Sequence, residues 1–226
     1  LIENNQFILN NKKIKEFHPY DSPEYFKKIL SGYYPYTFIR DKIITNYLKK
    51  LIPKKGKLLE IGCGTGMLLS HLESYFETYG LDISKYALEI ARQKLKSPRL
   101  HLLNVEKEFL TYPFYFDSVI SMNTIEHLNN PLELFIKIRA VLKEKGFLFI
   151  FLPTASNSIG RFLNSLFYRD ETHIFNPSVG KIKSLLNNAG FQLLYERPYG
   201  VFLFLPFSLR ILLESIPPYF AIFRKI

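Results

Sequence analysis

Three glycines on alternate positions, Gly62, Gly64 and Gly66, follow the apolar run Leu58-Leu59-Glu60-Ile61. A strand that reverses into a helix while a ligand touches its backbone needs residues that tolerate unusual φ and carry no Cβ. The turn is therefore a candidate cradle for a nucleotide-bearing cofactor. Its spacing separates the candidates, because the dinucleotide pattern G-x-G-x-x-G would need a glycine where Met67 stands. Further on, Asp82 ends the segment Thr78-Tyr79-Gly80-Leu81, where a strand-tip carboxylate can accept hydrogen bonds from both hydroxyls of a ribose. Two histidines could move a proton: His127 in Glu126-His127-Leu128, and His173 in Asp170-Glu171-Thr172-His173. An imidazole near its ordinary pKa can take the proton of a substrate hydroxyl. Each histidine also has a plain reading, His127 as a helix-start residue that packs and hydrogen-bonds, His173 as a cap of its own loop.

Taken together, Glu60-x-Gly62-x-Gly64-x-Gly66, the downstream Asp82 and Glu126-His127-Leu128 resemble the class I S-adenosylmethionine-dependent methyltransferases. The likeness is to a small-molecule branch similar to the ubiquinone-biosynthesis enzymes. It covers about residues 56–152 and, more loosely, 172–196. The resemblance implies a seven-stranded, mostly parallel Rossmann-like α/β sheet with helices on both faces and an antiparallel last strand. It also implies S-adenosyl-L-methionine as cofactor and S-adenosyl-L-homocysteine as product. The cofactor-binding residues it points to are Glu60, Gly62, Cys63, Gly64, Gly66, Asp82, Ile83, Asn104, Val105, Met122 and Asn123. The family usually has Asp where Asn104 stands, followed by a small apolar residue, to hold the adenine amino group and one ring face; an amide oxygen can still accept from that amino group. Some ubiquinone-biosynthesis O-methyltransferases carry a further acid three residues before the Glu of the Glu-His pair and hold a divalent ion there. This chain has Asn123 at that place, one anionic ligand fewer, and no metal site is expected.

The elements that must position these residues follow from apolar periodicity. Strands are expected at Leu58–Ile61, Thr78–Asp82, Leu100–Val105, Phe116–Asn123, Phe147–Leu152, Phe191–Glu196 and Tyr219–Lys225. Ser84 reads as the N-cap of a helix to about Lys96. Further helices are expected at Asp41–Leu51, at Pro131–Lys143 with Lys145-Gly146 as its stop, and at Pro177–Ala189 ended by Gly190. Strands alternating with helices give a parallel sheet. The expected organisation is an N-terminal helical lid or extension over 1–55 and a methyltransferase domain over 56–226. In the extension, Tyr34, Tyr36 and Arg40 are lid candidates, since aromatic faces attract a sulfonium; core packing explains the tyrosines equally well.

A chain of 226 residues is long enough for one domain with a full core. No run approaches a membrane span and no secretory signal is evident, so a cytoplasmic location is expected. The single cysteine, Cys63, excludes a disulfide framework and reads as a small buried side chain of the turn rather than a nucleophile. The net charge is +10, and the residues before Leu58 hold twelve Lys/Arg against five acids, a local excess of +7. A solvated helix face accounts for this, as would contact with RNA, an anionic membrane surface or a phosphorylated substrate. The basic residues lack the Gly/aromatic context of an RNA-recognition module, so nucleic acid is the less favoured partner.

Two insertions should choose the substrate. The first, about 153–176, holds Arg161, Tyr168, Arg169, Asp170, Glu171 and His173, in a loop at the carboxyl end of a parallel strand. The second, about 199–218, is apolar enough for a lipid-accepting wall or an interfacial helix at a membrane; a dimer interface or a helix folded onto the core fits it too. The chain would then be a monomer or homodimer. The expected activity is methyl transfer to a small-molecule acceptor, O-methylation favoured, on a quinone precursor, glycan or lipid-linked intermediate. RNA methylation and cofactor binding without catalysis are the alternatives. No Asn-Pro-Pro-Tyr run follows the fourth strand, where Ser121-Met122-Asn123-Thr124 stands, which argues against amide-nitrogen methylation.

Overall fold

The computed structural model describes residues 22–97, 99–108, 113–154, 172–198 and 219–226. Its strands are β1 Lys57–Ile61, β2 Glu77–Asp82, β3 Leu100–Leu102, β4 Phe116–Met122, β5 Leu142–Leu152, β6 Phe191–Pro198 and β7 Tyr219–Lys225. They form one seven-stranded sheet in the order β3-β2-β1-β4-β5-β7-β6. Strands β1 to β5 pair in parallel, while β7 runs antiparallel to both neighbours. The expected seven-stranded sheet with an antiparallel last strand is therefore present. The strand order reverses at β1, so the crevice for a ligand opens outside the carboxyl ends of β1 and β4.

Among the described residues five helices cover the sheet: α1 Pro23–Leu51, α2 Met67–Leu72, α3 Lys85–Lys94, α4 Pro131–Val141 and α5 Val179–Asn188. Alternating side chains on the strands feed two cores. Leu58, Ile120, Phe149, Phe151 and Phe220 pack with Ile44 and Leu48 of α1, Leu68 and Leu72 of α2, and Leu88 and Ala91 of α3. On the other face Leu59, Ile61, Val119, Leu148 and Phe223 meet Phe135 and Ile138 of α4 and Ile182 and Leu186 of α5. The strands buried on both faces read as continuous apolar runs for this reason.

Helix starts follow local chemistry. The side chains of Ser22, Ser84, Asn130 and Ser178 each accept a backbone N–H three residues on, supplying a partner that the first turn lacks. Ser84 is the cap the sequence predicted. Gly190, with φ 80°, ends α5 as expected.

Two boundaries differ from expectation. The first helix was predicted from Asp41 but starts at Pro23, carrying Gly32 and Pro35 in its interior. Intrinsic costs of about 1 kcal/mol for Gly and about 3 kcal/mol for Pro are a weak prior that tertiary context overrides here. Likewise α4 stops at Val141, and β5 begins at Leu142 rather than Phe147. Leu142 pairs with Phe116 and Phe147 with Ser118, so Lys143 to Gly146 form an irregular excursion, with Lys145 at φ 62°. Of the first insertion, Arg161, Tyr168, Arg169, Asp170 and Glu171 lie outside the described residues, as does all of 199–218. No helix among the described residues is long and apolar enough to cross a membrane.

Phe149 is fully buried in the β5 centre. Phe149→Ala should cost about 3–5 kcal/mol of stability, read as a lowered urea midpoint at unchanged slope.

Candidate functional site

At the end of β1 the chain reverses through Gly62, Gly64 and Gly66, with φ of 72°, 50° and 71°. Space, as well as φ, demands glycine at the two ends. A Cβ on Gly62 would overlap the Thr124 hydroxyl, and one on Gly66 would sit 3.0 Å from the Ala91 Cβ of α3. A Cβ on Gly64 would meet only the Phe26 ring edge at 3.7 Å, so there the left-handed backbone is the constraint. The turn is tied to β2 by the amides of Gly62 and Cys63, both donating to the Leu81 carbonyl at 2.8 and 2.9 Å.

Asp82 completes this tie. One carboxylate oxygen accepts from the Gly64 amide at 2.7 Å, the other from the Ser84 amide at 2.8 Å. The sequence reading placed Asp82 at a ribose; the structure adds that its carboxylate also holds the glycine turn.

Glu60 lies on the face of β1 that looks toward α1 and α2, and it is 4% exposed. Its Oε2 finds no hydrogen-bond partner among the described residues. Burial raises its carboxyl well above the usual carboxylate range; Arg40 opposes that shift, and Asp41 and Asp82 add to it. Arg40 itself bonds the buried Asp41 at 2.7 Å and lies 5.4 Å from the centre of the Phe151 ring. The side chains of Tyr34 and Tyr36, the other lid candidates, fall outside the described residues. Burial also pushes the Cys63 thiol up, with Asp82 and Glu60 acting the same way, which keeps it a thiol.

The remaining cofactor candidates occupy the same edge. Ile83 and Val105 are half-buried and Met122 is buried. The Asn104 side-chain oxygen, expected at an adenine amino group, accepts from the Glu106 amide at 3.0 Å and so shapes the turn after β3. Asn123 sits at φ 49°, a conformation asparagine tolerates, and donates its amide to the Phe151 carbonyl. Thr124, which sequence reasoning passed over, donates its hydroxyl toward the carbonyls of Ile61 and Met122, both at 3.1 Å. A threonine two residues before a Glu-His pair was the available signal.

Past Thr124, a single 3-10 turn spans Ile125–His127. The carbonyl of Glu126 accepts the amides of Ile174 and Phe175, docking the end of the first insertion onto this turn. His127 Nδ1 lies 3.1 Å from both the carbonyl and the hydroxyl oxygen of Thr172. The two candidate bases are thereby brought together, their ring centroids 4.8 Å apart. The Glu126 carboxylate, 1% exposed, stands 4.0 Å from His173 Nε2. Sequence reasoning quoted Glu126 in its motif but did not place it in the site; its contact with His173 is long-range and has no local signal. The expectation of no metal site rested on Asn123 and on the lack of a zinc-like Cys/His spacing, whereas the fold brings His173 beside Glu126 and His127.

A glycine turn under the carboxyl ends of β1 and β4, an acid at the tip of β2 and an antiparallel β7 define the class as Rossmann-like S-adenosylmethionine-dependent methyltransferases. Residues 33–196 match the methyltransferase domain family, and the chain belongs to it. Among its relatives, the YqeM protein of Bacillus subtilis is 34% identical over 111 residues, 46% of this chain and 45% of the relative. The ubiquinone biosynthesis O-methyltransferase of Pelagibacter ubique is 32% identical over 144 residues, 62% of this chain and 56% of the relative. The chain thus spans about half the length of the curated relatives it matches. In fold it is similar to the crystal structure of the YcgJ protein of Bacillus subtilis, with TM-score 0.65 at 14% identity, covering 83% of this chain and 98% of that one.

The burial of Glu60 sets a pH dependence. Its folded pKa is raised, so the folded state binds the proton more tightly than the unfolded chain; that contribution is full below the unfolded pKa and fades as pH rises through the folded one. Glu60→Gln should therefore gain thermal stability over the parent as pH is raised from 5 to 8 without ligand, with little difference at pH 4. Parallel Tm curves for the two proteins would contradict this.

Proposed function

We propose that this domain binds S-adenosyl-L-methionine in the glycine turn and transfers its methyl group to a hydroxyl of a small-molecule acceptor at Glu126, His127 and His173. The observation that carries the acceptor reading is the meeting of His127 and His173 beside the buried Glu126. The relationship to ubiquinone biosynthesis O-methyltransferases supports an oxygen acceptor.

The residues fit the cofactor. The glycines leave a backbone surface open to it, Asp82 is a carboxylate at the strand tip where a ribose would lie, and the Glu60 Oε2, without a hydrogen-bond partner among the described residues, suits an ammonium group. Ile83, Asn104, Val105, Met122 and Asn123 line the adenosine side in this reading, and Gly62, Cys63, Gly64 and Gly66 its floor. When bound, the cofactor supplies a methyl group already activated by a positively charged sulfur. The protein therefore has three tasks: to align the acceptor oxygen, to exclude water and to accept the hydroxyl proton. In this reading His127 Nδ1 donates to the Thr172 carbonyl, which leaves the basic lone pair on Nε2. His173 stands beside a carboxylate that would stabilise its protonated form.

Calorimetry should show S-adenosyl-L-methionine binding that Asp82→Ala weakens at least tenfold; binding of NADH instead would overturn the cofactor assignment. His127→Ala and His173→Ala should bind the cofactor normally but lower kcat toward small hydroxyl acceptors by about a hundredfold or more. Wild-type rates in both variants would remove the base role.

A further inference from the structure

We infer that the amino edge of the sheet, at the opposite end of the strands from the crevice, is a binding surface for single-stranded nucleic acid. The inference goes beyond the methyl-transfer reading and does not depend on it. Two lysine turns meet at this edge, about 20 Å from the crevice along β4. Lys54-Lys55-Gly56-Lys57 leads into β1, and Lys143-Glu144-Lys145-Gly146 is the excursion near the start of β5. Asp117 of β4 joins them, one carboxylate oxygen accepting from the Lys57 amide at 2.8 Å and the other from the Lys143 ammonium at 2.7 Å. With Lys49 and Lys50 in the last turn of α1, residues 49–57, 117 and 143–146 hold seven lysines against two acids. That is an excess of +5 within a chain of net charge +10.

Three features point to a polyanion bearing flat rings. First, the two acids are occupied, Asp117 as above and Glu144 by the buried Lys225 at 2.9 Å. Lys50, Lys54, Lys55 and Lys145 are exposed and have no ion-pair partner among the described residues. Second, Lys55 and Lys145 sit at φ 66° and 62°, a left-handed conformation that favours glycine or asparagine, and each stands directly before a glycine. Turn geometry does not select lysine there, whereas a charge held out at the tip of a turn does. Third, aromatic rings alternate with the lysines. Across the order β2-β1-β4-β5 the edge presents Tyr75 before β2, the 54–57 turn at β1, Phe114 and Tyr115 before β4, and the 143–146 excursion at β5. Neighbouring strands are about 4.8 Å apart, so rings and charges recur over about 14 Å. Tyr75 is 40% and Phe114 57% exposed. Ammonium groups stand over two of the rings, Lys49 at 3.3 Å from the Tyr75 centroid and Lys57 at 3.6 Å from that of Tyr115. A phosphate chain with a base on every unit matches this alternation of charge and ring. An anionic membrane matches it less well, because the exposed rings are separated by lysines rather than gathered in one apolar patch. The aromatic context that these lysines lack along the chain is thus supplied by the fold.

The test titrates the full chain into a fluorescein-labelled oligouridylate of about twelve nucleotides, and into the matching oligothymidylate to tell RNA from DNA. Anisotropy is read at several salt concentrations. Lys55→Asn/Lys145→Asn places at both turns a residue that the left-handed backbone accepts, so its Tm should not fall. Its affinity should drop at least tenfold, and the slope of log K against log salt should flatten by about 1.4, two phosphate contacts' worth. Tyr75→Ala should weaken binding about fivefold or more at unchanged slope. Lys85→Gln/Lys181→Gln removes the same charge from the first turns of α3 and α5, at the crevice end, and should change affinity by less than about twofold. Calorimetric S-adenosyl-L-methionine binding should be unchanged in all three variants, and tests the cofactor reading separately. Equal losses in the two lysine pairs overturn the inference, as does absence of oligonucleotide binding. Binding to phosphatidylserine vesicles, lost in Lys55→Asn/Lys145→Asn while no oligonucleotide binds, would assign the edge to a membrane instead.

Discussion

The structure depends on one carboxylate. Asp82 accepts the Gly64 amide with one oxygen and the Ser84 amide with the other, and so joins three things at one point: the end of β2, the reversal after β1 and the start of α3. Hydrogen bonds to an ionised acceptor contribute about twice what neutral ones do, and these two are within a largely water-free edge. Without them the glycine turn would be held to β2 only through the Gly62 and Cys63 amides, because its glycines bring no side-chain packing of their own. The constraint runs both ways. The amides that hold Asp82 also fix its oxygens, so whatever hydroxyls approach it meet a rigid acceptor with no rotamer entropy left to lose.

A second tie extends this order across the sheet. Thr124 reaches the carbonyls at the ends of β1 and β4, and its side chain occupies the space that a Cβ at Gly62 would need. The glycine is thus required by a neighbour more than sixty residues away as well as by its own φ. From Thr124 the chain enters the 3-10 turn, and the Glu126 carbonyl receives the strand-like backbone of Ile174 and Phe175. The glycine turn and the histidine cluster are consequently connected by a short path along the Thr124 to His127 segment. Two tightly packed cores beneath, one on each face of the sheet, keep that path from shifting.

What could be read from the sequence was what local chemistry decides. The alternate glycines, Asp82 at a strand tip, Ser84 as a cap and Gly190 as a stop each act through residues within a few positions, and each is where it was expected. What could not be read depends on distant partners. Helix α1 continues through Gly32 and Pro35 although local propensity opposes it. The start of β5 at Leu142 is set by pairing with Phe116, and a turn-like Lys145-Gly146 gives no hint of it. Asn104 was read from a family habit, while its oxygen serves the Glu106 amide next door.

The histidine cluster shows the same limit most sharply. His173 reaches His127 because main-chain amides bond a main-chain carbonyl, and such bonds leave no trace in side-chain identity. Only the resulting juxtaposition, two imidazoles and a carboxylate, is specific. A site built this way can change its chemistry by altering one side chain without moving the backbone that presents it. The glycine turn lacks that freedom: at Gly62, Gly66 and Asp82 the backbone geometry and the side-chain identity are the same requirement. The constraints on the two ends of the crevice are thus of different physical kinds, one carried by backbone and side chain together and the other by side chains alone.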